Sequence, residues 1–154
     1  SVSRDEVRRV VRDVRAAPYP DESWAAFVPI LPRLGAEAVR LTWVTEKEGQ
    51  VDRRASVFFW RSGPEARWPL DRAEVHPNAR VIPLRANGRD LGELVVVFRR
   101  GIDPRVDPGL AVTLELLSES MVENRLGTAP VLEAEPPRVV EFPAPALRAQ
   151  QARS

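Results

Sequence analysis

The chain has 154 residues, enough for one domain with a buried core, and its 44% hydrophobic and 29% charged residues are typical of a globular protein. The net charge of +1 excludes the strong field that would attract nucleic acid or an acidic membrane surface. The absence of cysteine excludes disulfides, thiolate catalysis and cysteine-bound metals. No run of about 18 apolar residues is present to span a membrane, and no secretory leader pattern opens the chain, so a cytoplasmic location is expected.

Residues 1–20 are predicted to form an amphipathic helix and linker ahead of a domain that covers residues 21–127. Ser3 and Glu6 form a capping-box pattern, with a hydroxyl at the N-cap and a carboxylate three residues later. A stripe of valines at helical spacing follows, and two prolines end the helix: Val7, Val10, Val11 and Val14, then Pro18 and Pro20. This narrow stripe either covers the domain's own core or pairs with a second copy in a dimer.

A second helix is predicted from Asp21, which is its N-cap candidate. Its apolar stripe runs toward Gly35, a natural residue after a helix end: Trp24, Phe27, Val28, Leu31 and Leu34. Pro29 and Pro32 each remove a backbone donor inside this stripe. We therefore expect the helix to kink or break near Val28.

Alternating apolar and polar residues predict strands over 37–45 and 53–61, joined by a polar turn. A short strand over 66–71 is confined to a sheet edge by Pro69. Asn87 and Gly88 then predict a type I′ turn between strands over 80–86 and 89–99. Pro83 indicates an edge or a bulge, and Gly92 indicates a bulge or close backbone packing.

The last helix begins at Asp107 as N-cap with Pro108 as its first residue, and ends at Gly127. Its predicted buried stripe is Leu110, Thr113, Leu114, Leu117, Met121 and Leu126. Residues 128–154 form a proline-rich tail without apolar period, within which 138–142 is the segment best able to add a strand to an exposed edge. The fold class is therefore α+β, with an antiparallel sheet of about five strands and helices on one face.

The titratable residues give no catalytic or metal site. His76 is the only histidine and precedes a proline in a loop, without an orienting partner or a nucleophile motif. Two pairs of carboxylates, Glu46 with Glu48 and Asp103 with Asp107, lie at turns and a helix start, where they commonly solvate the turn or complement the helix dipole. No catalytic residue, metal ligand or cofactor is therefore assigned.

Aromatic residues concentrate in the first half of the predicted sheet. Trp60 precedes Arg61 and Arg67 precedes Trp68, which allows a cation to stack on an indole. These four residues are the candidate ligand-binding residues. The alternative is that the aromatic side chains fill the core or an interface.

The hairpin resembles the closing hairpin of GAF domains, in which an apolar strand ending in Pro-Leu, here Pro83 and Leu84, meets a turn and a Leu-Gly-x-Leu strand, here from Leu91 to Leu94. The order helix, four strands, helix agrees over residues 21–127. The chain is also similar to the cytosolic C-terminal region of bacterial undecaprenyl-phosphate sugar-phosphate transferases. That likeness rests on Trp24, the Leu34-Gly35 boundary and the Phe58-Phe59-Trp60 strand.

The resemblance implies a GAF-like (profilin-like) regulatory or dimerisation domain without catalytic residues, carried by a larger bacterial membrane glycosyltransferase that makes lipid-linked sugars. On the cytosolic side of the inner membrane, it would either form a homodimer through the flanking helices or couple an unidentified small molecule to its parent membrane protein in cis. The alternative is a ligand-sensing input domain of a signal-transduction protein. A third hypothesis is a stand-alone enzyme, but the sequence contains none of the catalytic or nucleotide-binding motifs that would support it.

Overall fold

The computed structural model describes residues 2–45, 54–64, 77–130 and 138–142. In chain order the elements are α1 (Arg4–Ala16), α2 (Pro20–Phe27), β1 (Ala36–Thr45), β2 (Arg54–Arg61), β3 (Ala79–Ala86), β4 (Arg89–Phe98), α3 (Pro108–Gly127) and β5 (Val139–Phe142). Two 3₁₀ turns, Val28–Ile30 and Pro32–Leu34, connect α2 to β1. This part of the chain is α+β, as the sequence predicts.

The five strands form one sheet in the order β3-β4-β1-β2-β5. The β1–β2, β1–β4 and β3–β4 pairs are antiparallel, but β5 is parallel to β2, so the sheet is mixed and the expectation of a purely antiparallel sheet is wrong. The reason is chain direction. β2 and β4 are both antiparallel to β1 and so run in the same direction. The chain returns along α3 after β4, so the next strand, β5, runs in the direction of β4 and β2. The predicted edge strand over 66–71 lies outside the described residues.

The β3–β4 turn confirms the Asn-Gly prediction. Asn87 and Gly88 have φ of +52° and +75°, as both centres of a type I′ turn require. Ala86 pairs with Arg89 on either side of the turn. β3 lies at the edge of the sheet, which is where Pro83 was expected.

Gly92 combines a bulge with a close backbone contact, and both expectations for it are confirmed. Leu84 pairs with Gly92 and Arg85 with Asp90, so Leu91 is the extra residue on β4. A Cβ atom on Gly92 would lie 1.8 Å from the carbonyl oxygen of Thr42 on β1. Only glycine lets these two strands approach so closely.

Side chains at the N-cap determine where α1 and α3 begin, as predicted, but the predicted N-cap of α2 is wrong. Ser3 Oγ accepts a hydrogen bond from Glu6 N at 3.2 Å, and Asp107 Oδ1 accepts one from Leu110 N at 3.1 Å. Asp21, in contrast, is not an N-cap: α2 begins at Pro20, after Tyr19 as the cap. Proline is preset for the first helical position and has no backbone donor that needs a partner, so the helix starts two residues earlier than predicted.

The segment after α2 breaks where the prolines predict. The α-helix ends at Phe27, and the chain continues through the two 3₁₀ turns, each with proline at its first or second position. Gly35 follows with φ of +83° and reverses the chain into β1. The apolar side chains of this segment stay buried although the α-helix has ended.

Side chains of all three helices join alternate residues of β1, β2 and β4 in one hydrophobic cluster. Its fully buried members include Val14, Phe27, Leu31, Val39, Phe58, Leu94 and Leu117. The ring of Trp24 lies 5.7 Å from that of Phe27 and 5.8 Å from that of Phe58, measured between centroids. Val7 and Val14 are buried here, so the valine stripe of α1 contributes to the core of its own chain.

The buried face of α3 departs from the predicted stripe near its end. Leu114, Leu117 and Met121 are buried as expected, but Leu126 is 48% exposed. Asn124 and Arg125 take the buried positions instead. Asn124 Nδ2 donates to the carbonyl oxygen of Ala17 at 2.8 Å, and the Arg125 guanidinium lies 6.0 Å from the Trp43 ring centroid. Polar contacts from α3 to the end of α1 and to β1 therefore occupy the buried positions that the sequence pattern assigned to an apolar side chain.

Candidate functional site

The structure separates the two described members of the predicted ligand-binding set. Trp60 is 6% exposed and belongs to the core cluster, whereas Arg61, the next residue in β2, is half-buried on the opposite face of the sheet. Arg61 Nη1 donates to the carbonyl oxygen of Pro64 at 3.5 Å. Neighbours in a strand point to opposite faces, so this arginine cannot stack on its own neighbouring indole. Arg67 and Trp68 lie outside the described residues.

A cation does contact an indole, but the pair comes from two distant elements. Arg125 of α3 reaches Trp43 of β1 and donates from Nη2 to the Val44 carbonyl oxygen at 3.4 Å. Arg125 is 5% exposed, which places this contact inside the fold rather than at a surface site. The sequence contains no signal for this pairing, because 81 residues separate Arg125 from Val44.

A cavity of about 550 Å³ lies between α3 and the edge strand β3. We call it the α3–β3 groove. Its apolar floor consists of Ile82 and Leu84 from β3 with Leu114 and Val122 from α3. Its charged rim consists of Arg80 and Arg85 from β3 with Glu115, Glu119 and Glu123 from α3. A volume of this size is within the range of small-ligand pockets.

Two periodicities build this groove. On β3 the residues Arg80, Ile82 and Leu84 alternate, so their side chains share the face toward α3. On α3 the floor residues Leu114 and Val122 are eight positions apart, and the three glutamates recur every four positions beside them. An apolar row and an acidic row therefore run side by side along the helix.

The carboxylates of the rim differ in their partners. Glu123 Oε2 lies 2.5 Å from Arg15 Nε of α1, so this ion pair links the groove to the first helix. Glu115 and Glu119 are exposed and form no ion pair with any other described residue. The hydroxyl of Ser118, between the two rows, donates to the carbonyl oxygen of Leu114 at 2.7 Å and is thereby satisfied within the helix.

The two carboxylates that the sequence places before α3 have structural partners. Asp103 accepts hydrogen bonds from Arg105 Nε at 3.0 Å and from Arg105 N at 2.8 Å. These contacts hold the pKa of Asp103 below its ordinary value. The side-chain hydrogen bond from Arg105 has the largest effect, and the backbone hydrogen bond and the nearby positive charges act in the same direction. The same pairing raises the pKa of Arg105. Asp107 caps α3, and His76, Glu46 and Glu48 lie outside the described residues.

No group of three or more histidine, cysteine, aspartate or glutamate side chains in residues 2–45, 54–64, 77–130 and 138–142 is placed to hold a metal ion. None of the described helices combines the length and apolarity needed to cross a bilayer.

The acidic row of α3 could have been read from the sequence, since Glu115, Glu119 and Glu123 share one helical face. What the sequence could not show is that the edge strand lies beside that row.

Comparison with known proteins finds no relative of this chain. No family model matches it, and neither a curated protein nor a solved structure matches it.

Proposed function

We propose that this chain is a non-catalytic regulatory domain of GAF-like type, and that it receives its ligand or partner in the α3–β3 groove. The observation that carries the proposal is the groove itself, with an apolar floor and charged rims on both walls. Such a combination favours binding, because the floor supplies burial and the charges supply orientation. The succession of helix, four strands and helix supports the GAF-like assignment.

The ion pair between Glu123 and Arg15 couples the groove to helix α1. Glu123 lines the groove and holds α1, so a charged occupant competes with Arg15 for the same carboxylate. A ligand changes an equilibrium only if it interacts differently with the two states. Competition for Glu123 provides such a difference, and it would be passed on through the position of α1.

We further propose that the parent is a bacterial membrane glycosyltransferase making lipid-linked sugars, with this domain on the cytosolic side. The support is the resemblance of the sequence around Trp24, Leu34-Gly35 and Phe58-Phe59-Trp60. The signalling alternative needs a continuous helix leading into an output domain. The chain instead leaves α3 at Gly127 and returns to the sheet as β5, which favours the first proposal.

Any homodimer through the flanking helices would have to use α3 rather than the valines of α1. Val7 and Val14 are buried within the chain, whereas Val112, Leu116 and Leu126 on the outer face of α3 are 54%, 41% and 48% exposed. Glu119 and Glu123 lie between them on the same face. We therefore propose α3 as the helix through which two copies would meet.

The test fills the groove without disturbing the core. Ala111 is exposed and lines the groove, whereas Ala25 is exposed on α2, away from both the groove and the outer face of α3. In the full-length parent, Ala111→Arg is expected to change the rate of sugar-phosphate transfer to undecaprenyl phosphate, and Ala25→Arg, the matched control, is expected to leave it near the original value. Equal rates in both variants, or transfer by the isolated chain alone, would contradict the proposal.

A further inference from the structure

We propose that the α3–β3 groove binds an extended peptide of a partner protein, which joins the sheet as an additional strand beside β3. This inference rests on the proposed function, because it names the class of ligand that the same groove receives. Its basis is the outer edge of β3, which no other described strand covers, together with the side chains of α3 beside that edge and their charges.

The pairing of β3 with β4 determines which of its backbone groups face outward. The carbonyl oxygen of Asn78 accepts a hydrogen bond from Phe98 N at 3.0 Å, which marks this pair as a hydrogen-bonded one. Such pairs alternate along an antiparallel ladder, so Arg80 and Ile82 also bond toward β4. The backbone groups of Ala79, Val81 and Pro83 therefore point away from the sheet.

No strand lies on the outer side of β3 among the described residues. The edge offers N–H groups at Ala79 and Val81 and carbonyl oxygens at those residues and at Pro83. Pro83 has no N–H, so it cannot donate a hydrogen bond to an added strand, but the other outward-facing groups of the edge can still pair. A strand placed there would find donors and acceptors at the spacing of an ordinary ladder.

The wall beside this edge suits the side chains of an added strand. Every second side chain of such a strand would point toward α3 and meet the apolar floor at Ile82, Leu84 and Val122. The β3 residues that line the groove begin at Arg80 and end at Arg85, a length of about 20 Å at roughly 3.3 Å per residue. The groove therefore accommodates about six residues of extended chain.

The charged side chains that line the groove favour a peptide with a basic residue near its middle. Glu115 and Glu119 line the helical wall without ion pairs to other described residues, and a lysine can lay its aliphatic stem on an apolar floor while its ammonium group reaches a carboxylate. Arg80 and Arg85 lie toward the two ends of β3, where they favour acidic residues at the ends of the peptide. A compact phosphate ligand fits less well, because the exposed carboxylates of Glu115 and Glu119 line the same groove and would repel it.

The experiment is an NMR titration of the isotope-labelled isolated chain with the peptide acetyl-Glu-Thr-Leu-Thr-Lys-Thr-Glu-amide. Saturable shifts of the Ala79 and Val81 amides and of the amides along the groove face of α3 are expected. Two further peptides carry N-methyl groups, one on the leucine and lysine amides and the other on two threonine amides. Because backbone groups alternate in direction along a strand, one of these peptides should bind at least about tenfold more weakly and the other about as well as the parent.

The protein offers a matched pair of variants. Val81→Pro removes an outward N–H that makes no bond to β4 and should weaken binding of the parent peptide, whereas Val81→Ala keeps that N–H and should bind as the original chain does. If Val81→Pro fails to fold, the N-methylated peptides still decide the question on the unaltered chain.

Three results would overturn the inference: no saturable shift up to about 1 mM peptide, an equal effect of both N-methylated peptides, or groove shifts produced by a uridine-diphosphate sugar and not by the peptide. Peptide binding together with unaltered transfer by the Ala111→Arg parent would instead contradict the regulatory role and leave the peptide site standing.

Discussion

Gly92 and Gly88 lie four residues apart in the same hairpin and have positive φ, but their surroundings differ. A Cβ atom on Gly88 would meet no heavy atom within 4 Å, whereas one on Gly92 would meet the β1 backbone. At Gly88 the requirement is conformational only. At Gly92 a conformational requirement, with φ of +150°, is joined by a steric one.

The Gly92→Ala variant should therefore lose about 3 kcal/mol or more of unfolding free energy, since it adds overpacking between two central strands to backbone strain. Gly88→Ala is the control and should lose only about 1 kcal/mol, the cost of a positive φ without a clash. Urea denaturation followed by tryptophan fluorescence measures both. Equal losses would mean that β1 and β4 can separate to admit the methyl group at little cost.

The Asp103 carboxyl allows a test of electrostatics in the loop before α3. Its lowered pKa means that the folded state favours the ionised form, so its contribution to stability is present above the unfolded pKa and is lost as pH falls through the folded pKa. Arg105→Gln removes the side-chain hydrogen bond and leaves the backbone one. The pKa of Asp103 should rise but stay below its ordinary value.

An NMR titration of the Asp103 carboxyl carbon measures this change. Arg100→Gln is the control, because Arg100 is an exposed arginine in the same loop that is not a partner of Asp103. A pKa that does not move in Arg105→Gln would show that the backbone N–H alone sustains the ionised form.

β5 is the shortest of the described strands, with four residues, and contacts at its beginning attach it to β2 and α2. Its first backbone contact is a hydrogen bond from Val57 N to the Arg138 carbonyl oxygen at 2.9 Å. The Arg138 guanidinium also bonds both carboxylate oxygens of Asp21 in α2, with Nη1 to Oδ2 at 2.8 Å. The side chains of Arg138 and Asp21 are 33% and 44% exposed, so water screens part of their attraction.

Asp21→Asn should weaken the attachment of β5 by about 0.5–1 kcal/mol, as expected for a partly exposed pair with two hydrogen bonds. Hydrogen exchange at the Val57 amide should then be about twofold to fivefold faster, because that amide donates to Arg138. Glu22→Gln on the same turn of α2 is the control and should leave the exchange rate unchanged. Unaltered exchange in Asp21→Asn would show that the ion pair does not hold β5.

At the scale of the whole molecule, α1 is part of the same packed body as the sheet. Val7 and Val14 belong to the core cluster, and Asn124 of α3 donates to the carbonyl oxygens of Arg15 and Ala17 at the end of α1. The sequence interpretation instead treats residues 1–20 as a helix and linker outside a domain that begins at residue 21. The two views predict different behaviour when α1 is removed.

A chain that begins at residue 18 should lose at least about 3 kcal/mol of unfolding free energy, which is the burial of two valines at roughly 1.5 kcal/mol each. The control keeps α1 and carries alanine at Arg8, Arg9 and Arg12, which are exposed. It should remain within about 1 kcal/mol of the original chain. Equal stability of the shortened and intact chains would favour the interpretation of residues 1–20 as a linker.

The sequence by itself determined the features that depend on a few neighbouring residues. Asn87-Gly88 defined the hairpin because positive φ is a local property, and the caps of α1 and α3 and the break after Phe27 followed from hydroxyl, carboxylate and proline chemistry. Gly92 was recognised as unusual for the same reason.

Only the tertiary structure decided which surfaces meet. It put Trp60 and Arg61 on opposite faces, brought Arg125 to Trp43, and placed the acidic row of α3 beside β3. These contacts join residues far apart in the chain, and their partners are chosen by the packing of whole elements around one core. A periodic pattern shows that a helix has an acidic row or a strand an apolar face, but it carries no information about the neighbour against which that face will lie.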